Sequence, residues 1–257
     1  MALDEAIATC VRKGLSSPTL RLYGWDKPSL SLGYFQKLSD INTGYCAVNK
    51  IPIVRRPTGG RAILHNNELT YSFSARTDKG FFSKGLLDSY KKISEAFVLA
   101  FKKTGIQVTS KEKRENGRVL ARSSMCFKTS SLGEIMIENR KMVGSAQKRW
   151  VNGLLQQGSI PFNYNEDMLR NIFGEERTSR INNYMTGLKE LFPDINEDNF
   201  KRNISESFKE SFGVSLVPSY PTKEESRLAE DLELRKYLPI AYSYQQGAQL
   251  FLSQPAQ

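Results

Sequence analysis

The 257-residue chain holds one histidine, two tryptophans and three cysteines, and each scarcity excludes a kind of chemistry. Cys10, Cys46 and Cys126 are odd in number and far apart, which argues against a disulfide framework and against a Cys-x-x-Cys metal site. A single histidine, His65, without clustered thiols leaves no set of ligands for a structural zinc ion. No apolar run reaches the roughly 20 residues that span a bilayer. The start, Met1-Ala2-Leu3-Asp4-Glu5, carries acid where a signal peptide needs a basic segment, so the expected location is cytoplasmic, away from any membrane. The patterns GxxxxGK[ST] and GxGxxG are missing, as are alternating βαβ units, which excludes the nucleotide folds built on them. Zinc-finger spacing, an aromatic RNA-binding motif and internal repeats are missing too, so nucleic acid is not an expected partner.

What is present is an ordinary globular composition, 39% hydrophobic and 25% charged. The length suits one large domain, or a main domain with an appendage. The formal net charge of +10 favours acidic partners through long-range attraction, without choosing among them.

The most distinctive stretch is Arg55-Arg56-Pro57-Thr58-Gly59-Gly60-Arg61-Ala62-Ile63-Leu64-His65. Adjacent glycines let a backbone approach a ligand with no Cβ in the way, and cations on both sides suit an anionic or carbonyl-bearing substrate. The competing reading is a tight hairpin turn with solvated arginines.

Along the chain, residues 2 to about 14 predict a helix, with acid in its first turn, base in its last and Gly14 as its stop. Strands are expected over 18–25 and 29–35, joined by Asp26-Lys27-Pro28, with a weaker helix over 39–49. Strands over 51–56, 61–65 and 69–75 surround the glycines, and the apolar spacing of Leu86 to Lys103 gives the clearest helix. The segment 109–122, rich in Lys and Arg, reads as a solvated loop, with docking as the minority reading. Glu138-Asn139 turns a hairpin between Ile135–Ile137 and the strand after Arg140, and another strand covers 154–161. Helices are expected over 165–173, 178–191, 196–212 and 222–237, with Asn196 and Thr222 as caps. The fold class is α+β (mixed α/β): a mixed, largely antiparallel sheet flanked by helices, with a helical C-terminal tail. The expected division is a catalytic domain over 1–175, a helical extension packed on it over 176–238, and a frayed end over 239–257.

Two of the thiols read as core residues, since Cys10 lies on the apolar face of the first helix and Cys46 beside Ala47 and Val48. Cys126 follows Arg122-Ser123-Ser124 in a cationic setting that lowers a thiol pKa. Lys141 lies across the expected hairpin, before the small residues Gly144-Ser145-Ala146, which leave room for a chain-like substrate. A thiolate beside an ammonium is a workable pair for acyl transfer. A buried cysteine and a surface lysine remain the plainer reading of the spacing.

Several segments together carry a family likeness: Met1-Ala-Leu-Asp-Glu-Ala6, Leu22-Tyr-Gly-Trp25, Ser31-Leu-Gly-Tyr-Phe-Gln36, Arg55 to His65, Glu68-Leu-Thr-Tyr-Ser72, Cys126-Phe127 and Arg140-Lys-Met-Val-Gly-Ser-Ala-Gln147. In this order, over residues 1 to about 160, the chain resembles the biotin/lipoate protein ligase superfamily, and within it the octanoyltransferase branch. That resemblance implies an acyltransferase of lipoate biosynthesis, acting on octanoyl acyl carrier protein as donor and a lipoyl-domain protein or glycine cleavage H protein as acceptor. It implies that Cys126 forms an acyl thioester and that Lys141 lowers its pKa. Arg56, Thr58, Gly59, Gly60, Arg61 and His65 then line the acyl pocket, with Gly144, Ser145 and Ala146 on its opposite wall. No metal and no cofactor are expected, and the protein is expected to be a monomer. The carrier and lipoyl domains of this pathway are acidic, so basic residues within 102–122 are expected to steer them.

Two departures from the ligases of the superfamily point toward transferase: Arg61 stands where they carry a third glycine, and they lack a cysteine at the position of Cys126. The chain also begins at the helix, without the strand that relatives carry ahead of it, so a shortened start or a bare sheet edge is expected. The rivals are an ATP-dependent lipoate–protein ligase, an octanoyl amidotransferase between lipoyl-domain proteins, and a module that only binds acylated carriers. His65 is open among base, pocket wall and structural hydrogen-bonder.

Overall fold

The computed structural model describes residues 1–78, 80–110, 134–179 and 181–238. Cys126, most of the basic segment 109–122 and the end 239–257 lie outside the described residues.

The larger sheet is organised around β5 (Glu68–Ala75), which pairs with β1 (Thr19–Tyr23) on one side and β9 (Leu154–Pro161) on the other. It continues through β8 (Arg140–Arg149) and β7 (Ile135–Ile137) to β6 (Thr109–Ser110), and every pairing is antiparallel. The sequence of β5 alternates Glu68, Thr70, Ser72, Ser74 with Leu69, Tyr71, Phe73, Ala75, and both sets are buried. The apolar set meets α3 (Leu86–Lys103), whose Ile93, Phe97, Ala100 and Phe101 recur at helical spacing. Phe200 and Phe208 of the tail close over the same cluster. Each such side chain, removed from water, contributes about 1.5–3 kcal/mol.

A second sheet has three strands in the order β3-β2-β4. Its centre, β2 (Ser29–Leu32), runs parallel to β3 (Ile53–Arg55) and antiparallel to β4 (Ile63–His65). Since β3 and β4 flank β2 instead of pairing, Thr58-Gly59-Gly60 is not a hairpin turn; it carries the chain from one edge of the small sheet to the other. Asp26-Lys27-Pro28 likewise links strands of different sheets. The Glu138-Asn139 hairpin is as expected, with both residues at positive φ, 47° and 63°.

Helix α1 (Ala2–Lys13) and α2 (Thr43–Val48) precede α3. The tail comprises α4 (Glu166–Phe173), α5 (Glu175–Thr178), α6 (Leu188–Leu191), α7 (Glu197–Phe212) and α8 (Lys223–Leu232), the last continued by a π turn over Glu233–Tyr237. Asn196 caps α7 by accepting from the Asn199 N–H at 2.8 Å, and Thr222 with Glu225 forms a capping box on α8. The helix expected over 178–191 is broken. Lys141 N–H donates to Tyr184 O at 2.7 Å and Met185 bridges to Lys141, so backbone groups there serve β8 instead of a helix. The tail packs on helices more than on the sheet, α7 against α3 and α8 against α1.

Candidate active site

The polar face of the larger sheet is as dry as its apolar face, and hydrogen bonding explains how. Thr70 of β5 pairs with Ser159 of β9 and Ser72 with Gln157, while Glu68, opposite Pro161, lies diagonal to Ser159. The Glu68 carboxylate accepts from Ser159 Oγ at 2.6 Å, from Thr70 Oγ1, and from His65 Nδ1 at 2.8 Å. Thr70 in turn accepts from Trp25 Nε1 at 2.7 Å, and Trp25 stacks on the His65 ring at 4.3 Å. His65, only 3% exposed, meets Ser31 Oγ with its Nε2 at 2.7 Å.

Ser31 also receives Arg56, whose Nη1 donates to Ser31 Oγ at 3.0 Å and to Ser31 O at 3.1 Å. The other arm of that buried guanidinium, Nη2, donates to Gly59 O at 2.8 Å and Arg61 O at 2.6 Å. Arg55 holds the neighbouring loop through Gly33 O, Tyr34 O and Gln36 O. Both arginines thus bind backbone carbonyls instead of flanking a hairpin turn as solvated cations. Gly60 has φ +82°, and a Cβ there would stand 2.9 Å from Arg56 Nη2. A Cβ on Gly33 would fall 1.8 Å from Gly60 O, so two loops touch backbone to backbone.

The glycine turn faces β8. The Cβ position of Gly60 lies 3.6 Å from Ala146 Cβ, and Thr58 Oγ1 donates to Gln157 Oε1 at 3.0 Å. Gly144 and Ala146 pair with Ser159 and Gln157, on the polar face. Ser145 belongs to the other face, where its Oγ meets Tyr71 OH at 2.7 Å. The structure therefore brings Thr58, Gly59, Gly60, Gly144 and Ala146 together and sets Ser145 apart. A cleft opens beside this assembly, walled by Leu64, Glu68, Ser159, Tyr164, Leu169 and Met185.

Lys141 lies on β8 beside that cleft, where its backbone bridges to Met185. Its side chain is 1% exposed, and Nζ donates to Glu134 Oε1 at 2.5 Å. An ammonium this deep needs a counter-charge. Cys10 and Cys46 are buried core thiols, as expected; burial pushes Cys10 up and Cys46 up to about 11. Among the described residues no group of three His, Cys, Asp or Glu side chains could hold a metal, and no helix is long and apolar enough to cross a membrane.

Three carboxylates here were not singled out by sequence. Asp4 takes four donors: Arg21 Nη1 and Ser72 Oγ on Oδ1, and Tyr23 OH and Gln157 Nε2 on Oδ2. Burial alone would raise its pKa, but the N-terminal ammonium, Arg21 and these hydrogen bonds lower it. Its signal was positional, since Asp4 shares the stripe of Ile7, Ala8 and Val11 on α1. Glu68 was visible only as an acid in phase with Thr70 and Ser72, and Glu134 as an acid across the hairpin from Lys141.

Comparisons with known proteins agree with this geometry. Residues 1–209 match the lipoyl protein ligase A/B catalytic domain. A curated octanoyltransferase LipM of Clostridioides difficile is 36% identical over 247 residues, covering 90% of this chain and 89% of its own. The octanoyltransferase LipM of Bacillus subtilis is 33% identical over 259 residues, covering 95% and 92%. Among solved structures, lipoate-protein ligase A bound with ATP superposes with a TM-score of 0.74 at 22% identity, covering 91% of this chain and 88% of its own. A structure from the bipartite lipoate protein ligase system of Thermoplasma acidophilum gives 0.77 at 21% identity, covering 95% and 90%. These two show the fold, while the curated relatives and the domain match show the kinship: this chain belongs to the lipoyl protein ligase A/B catalytic domain family.

Proposed function

We propose that the protein is an octanoyltransferase of lipoate biosynthesis, an acyltransferase that moves octanoyl from acyl carrier protein to the lysine of a lipoyl domain or glycine cleavage H protein. The observation that carries this reading is the buried pair of Lys141, on β8, with Glu134, just ahead of β7; β8 is the strand that faces the glycine turn through Ala146. The curated relatives bear the name octanoyltransferase, which supports it.

In this reading Cys126 is the nucleophile and Lys141 its partner. The Cys126 thiolate attacks the octanoyl thioester carbonyl and the carrier thiolate leaves. This exchange of one thioester for another is close to isoenergetic. The acceptor lysine amine then attacks the acyl-enzyme, Cys126 leaves as thiolate, and the proton lost by the amine passes to solvent, balancing the one taken up by the departed carrier thiolate; amide formation drives the sequence forward. The Lys141 ammonium favours the thiolate in both steps. Residues 1–175 form the catalytic unit, working as a monomer in the cytoplasm, with 176–238 packed on it.

Incubation with octanoyl acyl carrier protein, without ATP, is expected to give an octanoyl adduct by intact mass that vanishes in Cys126→Ala. Activity that survives that substitution and requires ATP would overturn the reading in favour of a ligase. Octanoylated lipoyl-domain protein, offered as donor instead, identifies an amidotransferase. Lys141→Ala is expected to raise the pH at which iodoacetamide labels Cys126.

A further inference from the structure

The histidine that sequence leaves open stands between two buried partners, Ser31 Oγ and Glu68 Oε1. A guanidinium only donates, so Ser31 Oγ accepts from Arg56 Nη1. His65 bridges the two sides of the site, its Nε2 bonded to Ser31 Oγ and its Nδ1–H donating to Glu68 Oε1. Glu68 is itself anchored by Thr70 and Ser159 of the large sheet. One continuous chain of bonds therefore runs from β5 and β9 through His65 and Ser31 to Arg56, all of it buried.

Arg56 passes that order to the glycine turn. Its Nη2 gathers Gly59 O and Arg61 O, and the N–H of Tyr34 holds Thr58 O at 3.0 Å. In a trans peptide the N–H points opposite to the C=O of the same unit, and no peptide bond among the described residues is cis. The N–H groups of Gly59, Gly60 and Ala62 are accordingly directed away from the groups that hold those carbonyls. Those of Gly60 and Ala62 both turn from the same Arg56 Nη2, and N–H groups turned one way form a cradle for negative charge on oxygen.

We propose that Glu68, His65 and Ser31 are positioning residues that aim the Arg56 guanidinium at the carbonyls of the glycine turn, and thereby turn its N–H groups toward the thioester carbonyl of the substrate. This inference rests on the acyl-transfer reading for the identity of the substrate, but not for the order of the turn. His65 acts through Ser31 and Arg56, and takes no proton from substrate.

The test compares His65→Gln with His65→Phe in the full chain. A glutamine amide offers an N–H to Glu68 and an oxygen to Ser31, whereas phenylalanine keeps the ring on Trp25 and loses both bonds. His65→Gln is expected to stay within about threefold of the parent kcat for octanoyl adduct formation. His65→Phe is expected to lose at least about tenfold in kcat, with the KM for the octanoyl donor little changed. Ser31→Ala, which removes the hydroxyl and keeps the backbone contact to Arg56, is expected to fall between them. A folded His65→Gln as inactive as His65→Phe would make His65 a base and overturn the proposal.

Amide hydrogen exchange over residues 56–64, measured without substrate, separates this outcome from failure of the functional reading. Faster exchange in His65→Phe and Ser31→Ala, with parental rates in His65→Gln, supports the chain of bonds even if octanoyl acyl carrier protein is not the donor. Unchanged exchange in all three refutes it. Should His65→Phe melt below the assay temperature, Ser31→Ala carries the comparison.

Discussion

Strand β5 has two buried faces that solve burial in opposite ways. Leu69, Phe73 and the ring of Tyr71 pack among phenylalanines of α3 and α7, where the stabilising quantity is area removed from water, although the Tyr71 hydroxyl keeps specific partners in Ser145 and Gln156. Glu68, Thr70 and Ser72, on the other face, are tolerable only because each polar atom has a specific partner at hydrogen-bond distance. The first face sets how stable the protein is. The second sets where a few groups stand, and the glycine turn and the small residues of β8 are on that side.

This division predicts that substitutions on the two faces separate stability from activity. The largest stability loss is expected for Phe208→Ala, about 3–5 kcal/mol by chemical denaturation, because Phe208 touches Phe73, Phe97 and Phe212. The fraction that remains folded should keep its specific activity; a matching loss of activity per folded molecule would break the division. Next comes Asp4→Asn, expected to cost about 1–3 kcal/mol at pH 7. The folded-state pKa of Asp4 is lowered, so its contribution is full above the unfolded value of about 4 and is lost as pH falls through the folded value. The gap between parent and variant should therefore close on acidification below about pH 4.

Gly60→Ala is expected to cost only about 1–2 kcal/mol for the left-handed backbone, yet to reduce transfer more than tenfold by displacing Arg56 from the turn. If activity falls only in proportion to stability, the turn is scaffold alone. The smallest effect is expected from iodoacetamide on Cys10 and Cys46: burial raises both thiols, so neither should label in the native protein at pH 8.

The apolar face was legible in sequence because its information is local. The spacing of Ile93, Phe97, Ala100 and Phe101 describes a helix face without reference to anything distant. The bounds of α1, α3 and β9, the Asn196 and Thr222 caps and the Glu138-Asn139 hairpin were legible for the same reason. The polar face was only partly legible. Thr58 and Gln157 are 99 positions apart, and nothing near either one announces the other. Likewise β3 and β4 read as neighbours across a glycine turn because proximity in sequence suggests pairing, while β2, earlier in the chain, had taken the place between them. The break at 179–187 was hidden because a helix and a strand-side bridge compete for the same backbone groups, and only the fold shows that Lys141 is the partner. His65 was placed by motif and left without a role until Ser31 and Glu68 stood on either side of its ring.

Asp4 and Glu5, adjacent on α1, reach different parts of the chain. Asp4 reaches Gln157, 153 positions along the chain, and Glu5 takes Lys236 on both oxygens and Tyr237 on one, 231 and 232 positions along. Two neighbouring residues thus close very long loops, and closing long loops is what slows a folding reaction. Helix α1 works as a clasp: what fastens it lies far along the chain, on the large sheet and beyond α8. Stabilising substitutions on its outer face should accordingly slow unfolding without hastening folding.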